Sequence, residues 1–194
     1  MKKESVTDRV YRELRTDIIR QKYTGNMFLL EKTVCENYGC IKATAGEVLH
    51  QLCECGILES YPRKGYILHI PQSREFLQIQ RMRMAIEGME IHWIIRNCSD
   101  EAIKAKFCAP DADLHQMDNE TFHLTLAAMM EDDRLLHIME NLMAVVIFTY
   151  AATPFFSSED DIGNQHEALI QAILHRDEPL ALSILRLDLQ YTEE

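Results

Sequence analysis

Residues 29–49 read Leu-Leu-Glu-Lys-Thr-Val-Cys-Glu-Asn-Tyr-Gly-Cys-Ile-Lys-Ala-Thr-Ala-Gly-Glu-Val-Leu, and this stretch decides the fold. Leu30, Val34 and Tyr38 recur at a spacing of four before Gly39. Ala45, Val48, Leu49 and Leu52 recur at spacings of three and four after it. Each set lines one face of a short helix. Neither helix is long enough to stand alone in water, so the two must share a core across the glycine turn, the sequence form of a helix-turn-helix. Next come Ile57-Leu58-Glu59-Ser60, a turn at Tyr61-Pro62-Arg63-Lys64-Gly65, and Tyr66-Ile67-Leu68-His69-Ile70. Two short apolar runs around a Pro/Gly turn predict a β-hairpin. Together these parts predict a winged helix-turn-helix with a basic wing tip.

Upstream, Val6, Val10, Leu14 and Ile18 repeat at four and predict a first helix over Ser5–Gln21, with Ser5 and Asp8 as its capping pair. Tyr23–Phe28 is a loop. Downstream, the pattern becomes wholly helical. Ser73 caps a long helix to about Arg96, with Phe76, Ile79, Met82, Ile86, Met89 and Trp93 on one side. Ser99 starts a short helix that Cys108–Asp113 ends. Three longer helices follow, over about Asp113–Met130, Arg134–Ala152 and Asp160–His175. Asp177 caps a last one, from Glu178 to about Tyr191. The expected fold is mainly α. A winged helix-turn-helix domain of three helices and a β-hairpin occupies residues 1–71, and an all-helical bundle domain occupies 72–194, with Pro71 at the join.

A chain of 194 residues with 7 glycines and 5 prolines is globular in composition. Its formal net charge of −11 is unevenly spread. Residues 1–70 hold 11 Lys and Arg against 9 Asp and Glu, whereas the rest holds 9 against 22. The acidity thus belongs to the helical domain, and the slightly basic module is compatible with a salt-sensitive polyanion partner. The polar start, Met1–Arg12, has no apolar signal core, and no apolar run approaches the roughly 20 residues that cross a bilayer. A cytoplasmic protein without a membrane partner is expected. Cys35, Cys40, Cys53 and Cys55 lack the paired spacing of structural zinc sites and read as thiols in a reducing compartment.

This order of parts resembles the GntR family of bacterial transcription regulators, in its FadR-like subfamily, which joins a winged helix-turn-helix to an all-helical, ligand-binding FCD domain. Leu29-Leu30-Glu31, Val34, Tyr38, Gly39, Glu47-Val48-Leu49 and Gly56-Ile57-Leu58 carry the resemblance, with Arg63-Lys64-Gly65-Tyr66 at the wing tip. In the second domain Arg83-Met-Ala-Ile86-Glu87, Phe122-His123 with Leu126, and His166-Glu-Ala-Leu-Ile carry it. It implies a homodimer that binds operator DNA and responds to a small organic acid. The DNA-facing residues would be Lys42, Ala43, Thr44, Gly46, His50, Arg63, Lys64 and Gly65. Three positions of this first domain depart from the family: Ile41-Lys42 replaces Ser-Arg, and Gly46 replaces an arginine. Ile41 as an N-cap and Gly46 inside a helix each cost about 1 kcal/mol, and lysine lacks the arginine fork that reads guanine.

The resemblance also implies a divalent metal (zinc, manganese, nickel or iron) held by Asn119, His123, His166 and Asp188, the last standing where the family has histidine. Asn119 and His123 share a helix face, and antiparallel helices can turn all four inward. A metal-free polar pocket, with Asp188 paired to His166, is the other reading. Arg83 would hold the carboxylate of the effector, or else pair with Glu87. His92, His115 and His137 read as surface residues. Phe148, Tyr150, Phe155 and Phe156 would pack the core, close the pocket or support a dimer interface. Histidines and a carboxylate around an ion also describe metal-dependent enzymes; no extra general base stands out, so no enzyme is expected. A third reading is a relative that has lost specific DNA recognition and acts through protein partners.

Overall fold

The computed structural model describes residues 5–23, 27–108, 117–152 and 159–189, with the helical backbone alone for 159–164. The expected helix start at Asp113, the end at Tyr191, and His115, Phe155 and Phe156 lie outside these residues. The chain divides into two compact units, Met1–Gln72 with Met143–Phe155, and Ser73–Leu142 with Phe156–Glu194.

The first unit is a winged helix-turn-helix. Helix α1 (Val6–Ile19) opens with the predicted capping box, in which Asp8 N–H donates to Ser5 Oγ at 3.0 Å and Ser5 N–H donates to Asp8 Oδ2 at 3.1 Å. Such a cap stabilises a helix by about 1 kcal/mol. Helix α2 (Glu31–Tyr38) ends at Gly39, whose φ of 61° is left-handed and suits glycine. Helix α3 (Lys42–Glu54) follows, and Ile41 leaves its N-terminus without a side-chain cap, as the sequence predicts. Val10, Leu14, Val34, Val48, Leu49 and Leu52 are fully buried between the three helices.

The wing pairs β1 (Leu58–Tyr61) with β2 (Gly65–Leu68), one residue displaced from the predicted runs at the turn. Leu29 adds an isolated bridge to β2, exchanging hydrogen bonds of 2.7 and 2.9 Å with Tyr66. Gly65 makes this approach feasible: it has a φ of 109°, and a Cβ there would lie 2.7 Å from Leu29 O. Tyr38, an apolar position by spacing, also carries polar duty. Its hydroxyl donates to Asp17 Oδ2 at 2.7 Å and meets the Tyr23 hydroxyl at 3.1 Å.

Helix α7 (Asp133–Ala152) contributes its second half to this unit, where Ala144 and Phe148 are buried in the core. The Gln21 side chain also donates to Ala151 O. Among the described helices α7 is long and apolar enough to cross a bilayer by length and composition, although the sequence shows no unbroken run of that length. Its apolar residues Met139, Met143, Val146 and Phe148 are instead buried within the protein.

The second unit is a helical bundle of α4 (Ser73–Asn97), α5 (Asp100–Phe107), α6 (Asn119–Ala128), the first half of α7, α8 (Glu159–Leu174) and α9 (Glu178–Asp188). Ser99 and Asp177 cap α5 and α9 as expected. Arg176 donates to Ile95 O and Cys98 O, each at 3.0 Å, and so satisfies carbonyls at the C-terminus of α4. Two expectations are corrected. Helix α6 does not include Met117 and Asp118; Asp118 is its N-cap, accepting Thr121 N–H at 2.7 Å. The buried stripe of α4 is Phe76, Gln80, Arg83, Glu87, Glu90, Ile91 and Ile94, while Met82 and Met89 are each 47% exposed. Gln80 and Glu87 take the inward face with partners outside α4, Leu189 and His123, which apolar periodicity cannot register.

Candidate metal and ligand centre, and the nucleic-acid face

Gln80, Arg83, Glu87 and Glu90 recur at spacings of three and four, so all four project from one face of α4. Each is at most 1% exposed. Gln80, Arg83 and Glu87 start a chain of hydrogen bonds that crosses the bundle. Gln80 Nε2 donates to Leu189 O at 2.6 Å, beyond the end of α9. Arg83 Nη1 reaches Gln80 Oε1 at 3.3 Å and Arg83 Nε donates to Glu87 Oε1 at 2.8 Å. The other Glu87 oxygen lies 2.6 Å from His123 Nδ1 on α6. His123 Nε2 then faces Asp188 Oδ2 of α9 at 3.0 Å and Asn119 Oδ1 at 3.2 Å. Arg83 therefore pairs with Glu87, and its remaining nitrogen, Nη2, is buried without a partner.

His166 of α8 completes the cluster. Its ring stacks on Phe122, with centroids 3.8 Å apart and planes 5° from parallel, which pins its orientation. His166 Nε2 lies 3.4 Å from Asp188 Oδ1, yet without hydrogen-bond geometry, and both ring nitrogens are buried and unsatisfied. Leaving a buried polar group unsatisfied costs about 1–3 kcal/mol. Ligand atoms of His123, His166 and Asp188 all lie within 4.8 Å of one another. Two imidazoles, a carboxylate and the Asn119 carbonyl form a donor set for zinc, manganese, nickel or iron. An ion among them would satisfy His166, and Glu87 already orients His123 as an outer carboxylate orients a metal-bound imidazole. The residues fit the group.

Charge inside the cluster is balanced. Burial opposes the charge on Asp188, but the His123 charge and hydrogen bond and the nearby His166 outweigh it and hold the carboxyl well below its usual range. Glu87 is likewise held low, where Arg83 and His123 overcome desolvation. His123 is raised, because Glu87 and Asp188 overcome both burial and Arg83. Glu90 differs. Burial, then the Glu87 charge, push it up to about 8, and neither oxygen has a partner. Apolar periodicity does not point to Glu90 and Gln80; the signal that does is the 80-83-87-90 spacing of polar residues. His92 and His137 are exposed, facing Glu178 at 2.9 Å and Glu140 at 3.5 Å.

In the winged unit a groove of about 740 Å³ lies between α2, the start of α3 and the wing, lined by Leu30, Glu31, Lys32, Cys35, Lys42, Ser60, Tyr61, Pro62, Arg63, Gly65 and Tyr66. Lys42, Arg63 and Gly65 of the expected DNA-facing set meet here. Lys32 and Tyr61 were not singled out from sequence. Lys64 is exposed at the wing tip, and Ala43 and His50 are exposed on α3; Thr44 and Gly46 are partly covered. Lys42 Nζ stands 3.5 Å from Glu31 Oε2, and Glu31 Oε1 lies 3.4 Å from where a Gly46 Cβ would be. The acid thus leans on Lys42, the lysine at the start of α3.

A winged helix-turn-helix joined to a helical domain is the build of a DNA-binding transcription regulator. Residues 78–190 match the FCD domain, and the chain belongs to that family. It is 26% identical over 195 residues to the HTH-type transcriptional repressor GlaR of Escherichia coli (strain K12), covering 91% of this chain and 89% of that protein. Its fold is similar to that of E. coli McbR/YncC, with a TM-score of 0.76 at 18% identity over 97% of this chain and 95% of that one. It is also similar to a GntR regulator from Rhodococcus sp. RHA1, with a TM-score of 0.73 at 16% identity over 96% and 95%.

Proposed function

We propose that this regulator works as a cytoplasmic homodimer, reads an operator with residues 1–71, and senses a small carboxylic acid with residues 72–194. The observation that carries the ligand reading is the set of buried groups without partners, Arg83 Nη2, the Glu90 carboxyl and the His166 ring, gathered around one cluster. Asn119, His123, His166 and Asp188 would hold a divalent ion, which supplies a Lewis acid able to bind a carboxylate oxygen. Arg83 would donate to the carboxylate through its open nitrogen. Glu87 keeps His123 oriented, and Phe122 keeps His166 in place. A ligand that favours one arrangement of the helices shifts the population of the dimer able to span two half-sites.

The test is footprinting on the DNA upstream of the protein's own gene, at low salt, with and without manganese or zinc and a panel of small organic acids. Protection that an acid relieves or strengthens supports the reading. Absence of protection under every condition overturns it.

The pairing of Lys42 with Glu31 favours one second reading, a regulator with weakened base recognition that acts through protein partners. Gly46→Arg separates the two. The site has room for a Cβ, and an arginine there can engage Glu31 or DNA. If the second reading holds, this variant creates sequence-specific binding that the parent lacks. If the first holds, the parent already discriminates its operator and the variant alters affinity and sequence preference.

A further inference from the structure

Cys35 and Cys40 stand at the two ends of the α2 C-terminal turn. Cys40 N–H donates to Cys35 O at 3.3 Å, and Gly39 N–H donates to the same carbonyl at 3.0 Å. This six-residue closure through a left-handed glycine is the arrangement that draws the first and last side chains together, usually as a hydrophobic contact. Here both are cysteines, and all six cysteines of the chain are free thiols. The Cys35 side chain lines the groove between α2, α3 and the wing, so it is open to small solutes. The Cys40 thiol is half-buried, 4.0 Å from Val34 O. Burial, then the adjacent Cys35, push that thiol up, so it stays protonated beside its neighbour. A disulfide needs Cα atoms within about 7 Å, a range to which the shared backbone hydrogen bond holds these two residues.

We propose that Cys35 and Cys40 are a peroxide-reactive thiol pair that closes into a disulfide and thereby weakens DNA binding. The Cys35 thiolate attacks one oxygen of hydrogen peroxide. The O–O bond breaks, and with one proton taken up the products are a Cys35 sulfenic acid and water. The Cys40 thiol then attacks the Cys35 sulfur. The S–O bond breaks, the hydroxyl leaves with the Cys40 proton as a second water, and the S–S bond forms. The two thiols are oxidised by two electrons and the peroxide is reduced by two. A cytosolic thiol reductant reverses the reaction. Cys40 directly precedes Ile41, whose carbonyl accepts the first α3 hydrogen bond, from Ala45 N–H at 3.0 Å. A covalent link between α2 and this residue shifts the start of the recognition helix, with Lys42 on it. The DNA-binding consequence rests on the regulator reading, whereas the thiol chemistry does not.

The full-length protein is reduced, treated with hydrogen peroxide, alkylated and cleaved after Lys and Arg. Residues 33–42 then form one peptide that holds both cysteines. The expected result is that this peptide loses two hydrogen atoms, takes up no alkyl group and recovers both thiols on reduction, while operator affinity falls tenfold or more and recovers with them. Cys40→Ser retains reduced-state affinity and loses the reversible response; Cys53→Ser keeps it. A peptide that is alkylated twice after peroxide overturns the proposal, as does a disulfide that leaves affinity unchanged. A reduced protein that binds no DNA overturns the regulator reading and the switch together, and the peptide mass still decides whether the thiols react.

Discussion

A His123→Ala protein is expected to bind manganese or zinc more than about 100-fold more weakly than the parent, since loss of an outer partner alone costs 10–100-fold and His123 would be a direct ligand. The substitution also leaves Glu87 and Asp188 without the imidazole between them, which lowers stability by about 3–5 kcal/mol. Glu87→Gln is the gentler companion. It retains a hydrogen-bond partner for His123 Nδ1 while removing the charge, and metal affinity should fall about 10–100-fold. Metal affinity of the parent should also climb with pH. The fold raises His123 above its ordinary value, so the metal-free protein keeps this proton to higher pH than a free imidazole does, and an incoming ion must displace it. Below that raised value, affinity falls about tenfold per pH unit. Isothermal titration of metal-stripped protein measures all three. A folded His123→Ala variant that binds as tightly as the parent, or a Glu87→Gln variant with unchanged affinity, removes the metal centre from the account.

Glu90→Gln should make the ligand-free protein more stable. The Glu90 carboxyl is pushed up to about 8 by burial and by Glu87, from an ordinary value of 4.5. The folded state therefore holds a proton that the unfolded chain releases. For a raised carboxyl this contribution is complete below 4.5 and is lost as pH rises toward 8. Glutamine stays neutral throughout, so parent and variant should match near pH 4 and diverge above it. The gain at pH 7 is on the order of 3 kcal/mol, and urea unfolding across this range measures it. A variant that is less stable than the parent at pH 7 would mean that an undetected partner already satisfies Glu90. If Glu90 contributes to ligand binding, the same variant should be more stable and yet bind its effector more weakly.

Local patterns predicted much of this architecture because local physics governs them. Ser5, Ser99 and Asp177 cap helices wherever their side chains meet the first-turn N–H groups, and that condition involves only neighbours in the chain. Gly39 ends α2 for the same reason. The interior face of α4 was misread, since Met82 and Met89 fit an apolar helix face as well as Ile91 and Ile94 do. What turned them outward was the pairing of Gln80 with Leu189, just past α9, and of Glu87 with His123 on α6, each more than 30 residues away. The start of α6 was also misplaced, because Asp118 is as good a cap as any acidic residue between Asp111 and Asp118, and propensity does not choose among them.

The sequence by itself determined the helix-turn-helix frame around Gly39, the wing and its basic tip, and the helical character of the second unit, since each follows from spacings of two to four residues. It also supplied the residue types that can bind a metal. Tertiary structure decided which of those side chains converge. It set His123, His166 and Asp188 within 4.8 Å of one another, buried Glu90 unpaired, leaned Glu31 onto Lys42, and packed the second half of α7 into the winged unit. These outcomes depend on how helices pack over long sequence separations, where desolvation and charge pairing act between groups that no local pattern relates.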